Sequence, residues 1–239
     1  MRKINILVFG VSLLLLTSCK KETAKPKVSY DATTTKIQAN KDTAQIEIAD
    51  LPIQIPGTNY MIHPLGDLSV YEGNAKVSYG STNADRVSFT ISNYREFEIT
   101  GYLRNLKFQK IGSDSIQALT KEPVLIETAT YLKSVSDKIK RQLMVYTMAD
   151  KDTNKDEKID SNDIKTLYIS EIGGDKLTKL TLEFQELIDW NLIESQNRLY
   201  FRSVEDTNKN GEFDKKDVVH YNYVNLSDKE WKLTNYNPI

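Results

Sequence analysis

The chain has 239 residues, with 32 basic and 33 acidic side chains and a formal charge of −1. That balance excludes a nucleic-acid partner recognised through a basic surface. A single cysteine excludes a disulfide framework within the chain, and 39 % hydrophobic residues supply enough apolar material for one core.

Arg2 and Lys3 precede an apolar run from Ile4 to Leu16, followed by Leu16-Thr17-Ser18-Cys19. The run is too short to cross roughly 30 Å of hydrocarbon comfortably. A short basic segment, a short apolar segment and small residues describe a secretory signal over residues 1–18. Leu-Thr-Ser-Cys resembles a bacterial lipobox. The resemblance implies cleavage before Cys19, acylation of that cysteine, and a lipoprotein of the bacterial cell envelope. Its membrane partner is then reached through Cys19, on the outer membrane with a periplasmic or surface-facing domain. Loss of Arg2 and Lys3 leaves 32 − 2 = 30 basic side chains against 33 acidic ones, a formal charge of −3. Residues 19–43 are polar, with many Lys, Thr and Ala, and read as a lipidated flexible tether. Residues 44–239 remain for a folded domain.

That remainder predicts strands. Arg86–Ile91, Gln142–Thr147, Lys165–Ser170, Arg198–Arg202 and Val218–Val224 are rich in β-branched and aromatic residues. Long helical periods are absent, and Thr178–Asn197, with its mixed pattern, is the stretch expected to be the exception. Three segments close alike, with Leu119-Thr120, Leu180-Thr181 and Leu233-Thr234, spaced 180 − 119 = 61 and 233 − 180 = 53 residues apart. The strands before them align as Asn105–Ile111, Thr166–Ile172 and His220–Leu226. Such periods point to repeated supersecondary units. Residues 58–235 resemble a TolB-like β-propeller, through Leu-Tyr-Ile-Ser-Glu-Ile-Gly-Gly (167–174) followed by Lys-Leu-Thr. That resemblance implies an all-β fold of antiparallel, blade-like repeats, a partial or small β-propeller. Trp190 and Tyr131 are expected to open inner strands. Three units are fewer than the four to eight of a typical propeller. Ala44–Pro56 with degenerate segments completing a small ring, an open arc, two chains closing one ring, and an ordinary antiparallel sandwich all stay open.

Two twelve-residue stretches carry the readable chemistry. Residues 152–163 place Asp152, Asn154, Asp156, Asp160 and Asp163 at loop positions 1, 3, 5, 9 and 12, and residues 206–217 place Asp206, Asn208, Asn210, Asp214 and Asp217 there. This is the oxygen-ligand spacing of an EF-hand-type calcium loop, with Asp in place of Glu at position 12. Position 7 contributes a main-chain carbonyl, from Lys158 and from Glu212. Calcium is a hard cation that takes six to eight oxygens, so it is the expected cofactor. Ile159 and Phe213, at position 8, are expected to pin each loop to the core. Position 6 requires a left-handed backbone, which Gly211 adopts freely and Glu157 only under strain. A register starting at Asp150 would put Glu157 at position 8 and Ser161 at position 12, and is rejected. Asp at position 12 resembles the calcium loops of dockerins, from which metal ligation alone carries over. Both loops join the second and third strands of their repeats.

No Gly-x-Ser-x-Gly elbow, His-Glu-x-x-His or phosphate-cradling loop is present. His63 and His220 read as structural, and no catalytic residue is assigned. The expected function is a calcium-binding, lipid-anchored β-repeat module that engages a protein or glycan ligand, with calcium in a structural role. The alternative is an envelope hydrolase acting on glycans or peptides from a propeller face.

Overall fold

The computed structural model describes residues 27–30, 45–69 and 90–239. The signal segment, Cys19 and most of the stretch 19–43 lie outside the described residues, as do residues 86–89 of the strand expected at Arg86–Ile91.

Strands β1 (Gln45–Ala49), β2 (Ile53–Gln54) and β3 (Tyr60–Ser69) come first. β4 (Ser92–Arg95), the long β5 (Glu98–Lys110), β6 (Ile116–Ala118) and β7 (Leu125–Tyr131) follow. A helix, α1 (Lys133–Ile139), leads into β8 (Leu143–Ala149), β9 (Lys165–Glu171) and β10 (Thr178–Lys179). The last four strands are β11 (Gln185–Ile193), β12 (Arg198–Glu205), β13 (Val218–Asn225) and β14 (Thr234–Asn235). The described ladders are antiparallel throughout, so the fold is all-β as the composition of the strands predicts.

Two open sheets result. One has ten strands in the order β1-β3-β5-β7-β8-β9-β10, with β2, β4 and β6 at its flanks, and the other is β11-β12-β13-β14. Among the described strands neither sheet closes on itself. The segments β7–β10 and β11–β14 are meanders of the same connectivity, each ending in a two-residue strand. They pack face to face. Leu143, Val145 and Leu167 of the first share a core with Leu199, Phe201 and Val224 of the second. On its other face the first meander packs Met144, Tyr146 and Met148 against Ile62, Leu103 and Phe108. All seven residues of β8 are therefore buried, because alternate side chains of one strand serve two separate cores.

β5 explains why the first two repeats do not form separate sheets. Its C-terminal half pairs with β3 and β6, while Glu98–Leu103 pairs with β7. The ladder is irregular between Thr100 and Leu103, where Gly101 sits. A Cβ there would lie 2.7 Å from the Ile91 carbonyl oxygen, so the close strand approach depends on its missing side chain.

Several local expectations are corrected. Tyr131 ends β7 rather than opening an inner strand, and Trp190 lies in the middle of β11. Thr178–Asn197 contains β10, β11 and a short 3-10 turn at Glu194–Gln196. The helix is instead α1, where Val135 is buried and the Ser136 hydroxyl accepts the Leu143 N–H at 3.0 Å. The Leu-Thr endings of the first two units are equivalent, since Leu119 and Leu180 donate their N–H groups to Leu106 and Leu167, each at 2.8 Å. In the third unit Tyr236 takes that place, donating to the Tyr221 carbonyl at 3.1 Å. The repeat there is offset because β14 pairs through Thr234 and Asn235.

Candidate metal centre in two equivalent hairpin loops

The first acidic loop joins β8 to β9 and the second joins β12 to β13. These are the second and third strands of the two matching meanders, so the loops occupy equivalent places. Their internal hydrogen bonds correspond position by position. Asp152 accepts the N–H groups of Asp156 at 3.1 Å and Glu157 at 2.9 Å. Asp206 likewise accepts those of Asn210 at 3.2 Å and Gly211 at 2.7 Å. Asn154 accepts the Asp156 N–H and Asn208 the Asn210 N–H, both at 2.9 Å. Asp156 accepts the Lys158 N–H at 3.1 Å, and Asn210 accepts the Glu212 N–H at 2.8 Å. Asp160 and Asp214 accept the Asn162 and Lys216 N–H groups, each at 2.7 Å. Asp163 and Asp217 close the loops, reaching back to the N–H groups of Thr153 at 2.7 Å and Thr207 at 3.1 Å. They also accept the Asp160 and Asp214 N–H groups at 2.9 and 2.7 Å.

The physical origin is local. An Asx side chain readily accepts a main-chain N–H two residues on, which turns the chain back on itself. Repeating that at alternate positions curls twelve residues into a cup with side-chain oxygens turned inward. Left-handed backbone completes the curl. Gly211 has φ +83° and Glu157 φ +68°, as position 6 requires, and Lys155 and Lys209 at position 4 have φ +62° and +56°. The need at position 4 was not legible in the spacing. Ile159 is buried with Leu125 and Ala149, as its position predicts. Phe213 is only half-buried. Asp150 is engaged elsewhere, accepting from Tyr168 at 2.7 Å and Lys179 at 2.8 Å, which agrees with rejecting it as a first ligand.

Electrostatics favour a cation in both cups. Residues 152–163 carry five carboxylates against two lysines, and residues 206–217 carry four against three. Asp163 is 2 % exposed and Asp206 3 % exposed. Burial pushes the Asp163 carboxyl above its ordinary range, against the pull of the N–H groups of Asp160, Thr153 and Asn154. A buried carboxylate whose charge is unbalanced is costly, and a bound cation removes that cost. Among the described residues no three His, Cys, Asp or Glu side chains stand close enough to form a ready metal cluster. The donor set here also includes asparagine and main-chain carbonyl oxygens. A carboxylate oxygen holding one N–H keeps a lone pair for an ion. An all-oxygen set of this kind fits calcium rather than a softer metal.

The structure adds a component that the sequence did not announce. Residues 27–30, inside the stretch read as a flexible tether, are packed across both loops. Lys27 and Val28 direct their N–H groups to the Gly211 carbonyl at 2.7 and 3.3 Å, and Ser29 donates to the Thr153 carbonyl at 2.8 Å. The Thr153 hydroxyl lies 2.8 Å from the Lys27 carbonyl and accepts the Ile164 N–H at 3.0 Å. Val28 is 2 % exposed, and Lys27 pairs with Glu186 at 2.9 Å. Burial and a hydrogen bond to Asp206 push the Tyr30 hydroxyl up to about 12. The alternation of Val28 and Tyr30 in a polar stretch was the available signal. This strap ties loop to loop and corrects the expectation of flexibility for these four residues.

Elsewhere, His63 faces Gln109 at 3.1 Å and His220 faces Glu205 at 2.7 Å, each a cross-strand contact. A shallow cavity beside α1 is lined by Asp137, Lys140, Arg141 and Glu171, among others. Hydrogen bonds from Lys176 and Arg141 hold the Glu171 carboxyl below its ordinary range, so it is poorly suited to donate a proton. Among the described helices none is long and apolar enough to cross a membrane. Neither the known protein-family models nor the curated proteins give a match to this chain.

Proposed function

We propose that the protein is a lipid-anchored, calcium-binding β-repeat module of the bacterial envelope, in which the ion has a structural role. The observation that carries this reading is the position-by-position agreement of the two loops, at equivalent hairpins of two matching meanders. Chance Asx turns account for one such loop but poorly for two alike. Ligation by Asp152, Asn154, Asp156, Asp160, Asp163 and the Lys158 carbonyl, and by their counterparts from Asp206 to Asp217, would neutralise the clustered carboxylates. Acylation of Cys19 would supply the anchor. The two stacked meanders support a blade-like reading of the repeats, with an open rather than a closed arrangement. The module then presents its surface to a protein or glycan partner while the ions keep its hairpin ends rigid.

Isothermal titration of the purified protein with calcium tests this. Two binding events are expected, with dissociation constants at or tighter than the roughly 10⁻⁴–10⁻³ M of extracellular modules. No calcium heat at millimolar concentration would overturn the reading.

A further inference from the structure

The strap meets each acidic loop at a residue that a buried carboxylate already holds. In the first loop, buried Asp163 accepts the Thr153 N–H at 2.7 Å, and the Thr153 carbonyl accepts the Ser29 N–H at 2.8 Å. In the second, buried Asp206 accepts the Gly211 N–H at 2.7 Å, and the Gly211 carbonyl accepts the N–H groups of Lys27 and Val28 at 2.7 and 3.3 Å. Each series of contacts runs from a candidate ligand, through one loop residue, to the strap. The two series meet on three consecutive residues, 27–29.

Further contacts stiffen that junction. The Thr153 hydroxyl donates to the Lys27 carbonyl at 2.8 Å, and the Tyr30 hydroxyl bonds to Asp206. The Lys27 ammonium pairs with Glu186, which also accepts the N–H of Lys165, where the chain leaves the first loop, at 2.9 Å. Lys27 thus holds the second loop by its N–H and the first by its carbonyl and side chain. Residues 27–30 belong to no strand, so their seating depends on these contacts and on buried Val28. Fixing such a segment costs conformational entropy. Whichever loop is fixed first lowers that cost for the other.

We propose that the strap couples the two loops, so that filling one raises the calcium affinity of the other. This inference rests on the calcium reading of both loops. With Asp163 drawn onto an ion, Thr153 is held, the strap is seated, and Gly211 and Asp206 are fixed in turn. The same series runs in reverse from Asp206, and the coupling must be equal in both directions. Repulsion between two like-charged ions acts the other way.

The test titrates the full chain with calcium by calorimetry, beside two single-loop variants. Asp156→Ala with Asp160→Ala disables the first loop, and Asn210→Ala with Asp214→Ala disables the second. All four substitutions leave the strap contacts named above in place. Each remaining loop is expected to bind calcium about fivefold or more weakly than it does in wild type with the other loop filled, by the same factor for both. Hydrogen exchange at the Ser29 amide gives a second readout. Calcium is expected to slow it even when only the second loop is intact, although Ser29 bonds to the first. Val28→Asn, which puts an amide in a buried apolar seat, is expected to speed Ser29 exchange and leave two independent sites. Wild-type sites that match the single-loop affinities, or a second ion bound more weakly than alone, overturn the coupling and leave calcium binding standing. Ser29 exchange that ignores calcium at the second loop overturns it as well. Coupling that survives in Val28→Asn while Ser29 exchanges fast overturns the role of the strap. A wild-type chain that gives no calcium heat overturns the calcium reading and this inference with it.

Discussion

Replacing Asp206 with alanine separates the contribution of the ion from that of the loop itself. The carboxylate is 3 % exposed and accepts the N–H groups of Gly211 at 2.7 Å and Asn210 at 3.2 Å. Asn210 keeps a second acceptor, the Asn208 side chain at 2.9 Å. The buried Gly211 N–H loses its side-chain acceptor, at a cost of about 1–3 kcal/mol. That cost is present with or without calcium. At calcium roughly 100 times the dissociation constant, an occupied site adds about 2.7 kcal/mol of stability, which loss of the position 1 ligand removes. Asp206→Ala is therefore expected to destabilise by about 1–3 kcal/mol in chelator and by about 4–6 kcal/mol in calcium. At roughly 2–4 °C per kcal/mol for a domain of this size, the Tm gap from wild type widens by about 5–11 °C when calcium is added. Thermal unfolding followed by circular dichroism, in both buffers, measures it. A gap of equal size in the two buffers refutes the idea that this loop holds calcium.

Two more expectations use the first loop. The Asp163 carboxyl is raised by burial, so its ionised form is penalised in the fold, and the penalty fades as pH falls into the carboxylate range. In chelator, wild type should therefore gain stability relative to Asp163→Asn on acidification. Calcium, which binds the ionised form, should reverse the trend, and a flat Tm difference across pH in chelator contradicts it. Glu157, with φ +68°, should prefer to be glycine. Glu157→Gly is expected to stabilise by about 1 kcal/mol, and an unchanged or lowered Tm would show that this backbone position carries no strain.

The loops were legible because their chemistry is local: alternate Asx residues both bend the chain and supply the oxygens, so spacing alone exposes them. Ile159 was equally readable as a lone apolar residue in an acidic loop, and it is buried, whereas Phe213 at the same position of the second loop stays half-buried. The repeats were legible as connectivity but not as sheets. Nothing in the pattern of Glu98–Lys110 reveals that its two halves serve different partners, because strand pairing is decided between distant segments. The helix Lys133–Ile139, at seven residues, is too short for a period to emerge. Residues 27–30 look like linker because their contacts, with Thr153 and Gly211, lie more than a hundred residues away in the chain.

That separation sets an order of events. The strap's acceptors sit on two hairpins that must already be formed before residues 27–30 have anywhere to dock. The segment made among the first is thus seated among the last, since contacts of such long sequence separation form late and slowly. Exchange protection of the Ser29 amide would mark the moment the whole molecule is finished.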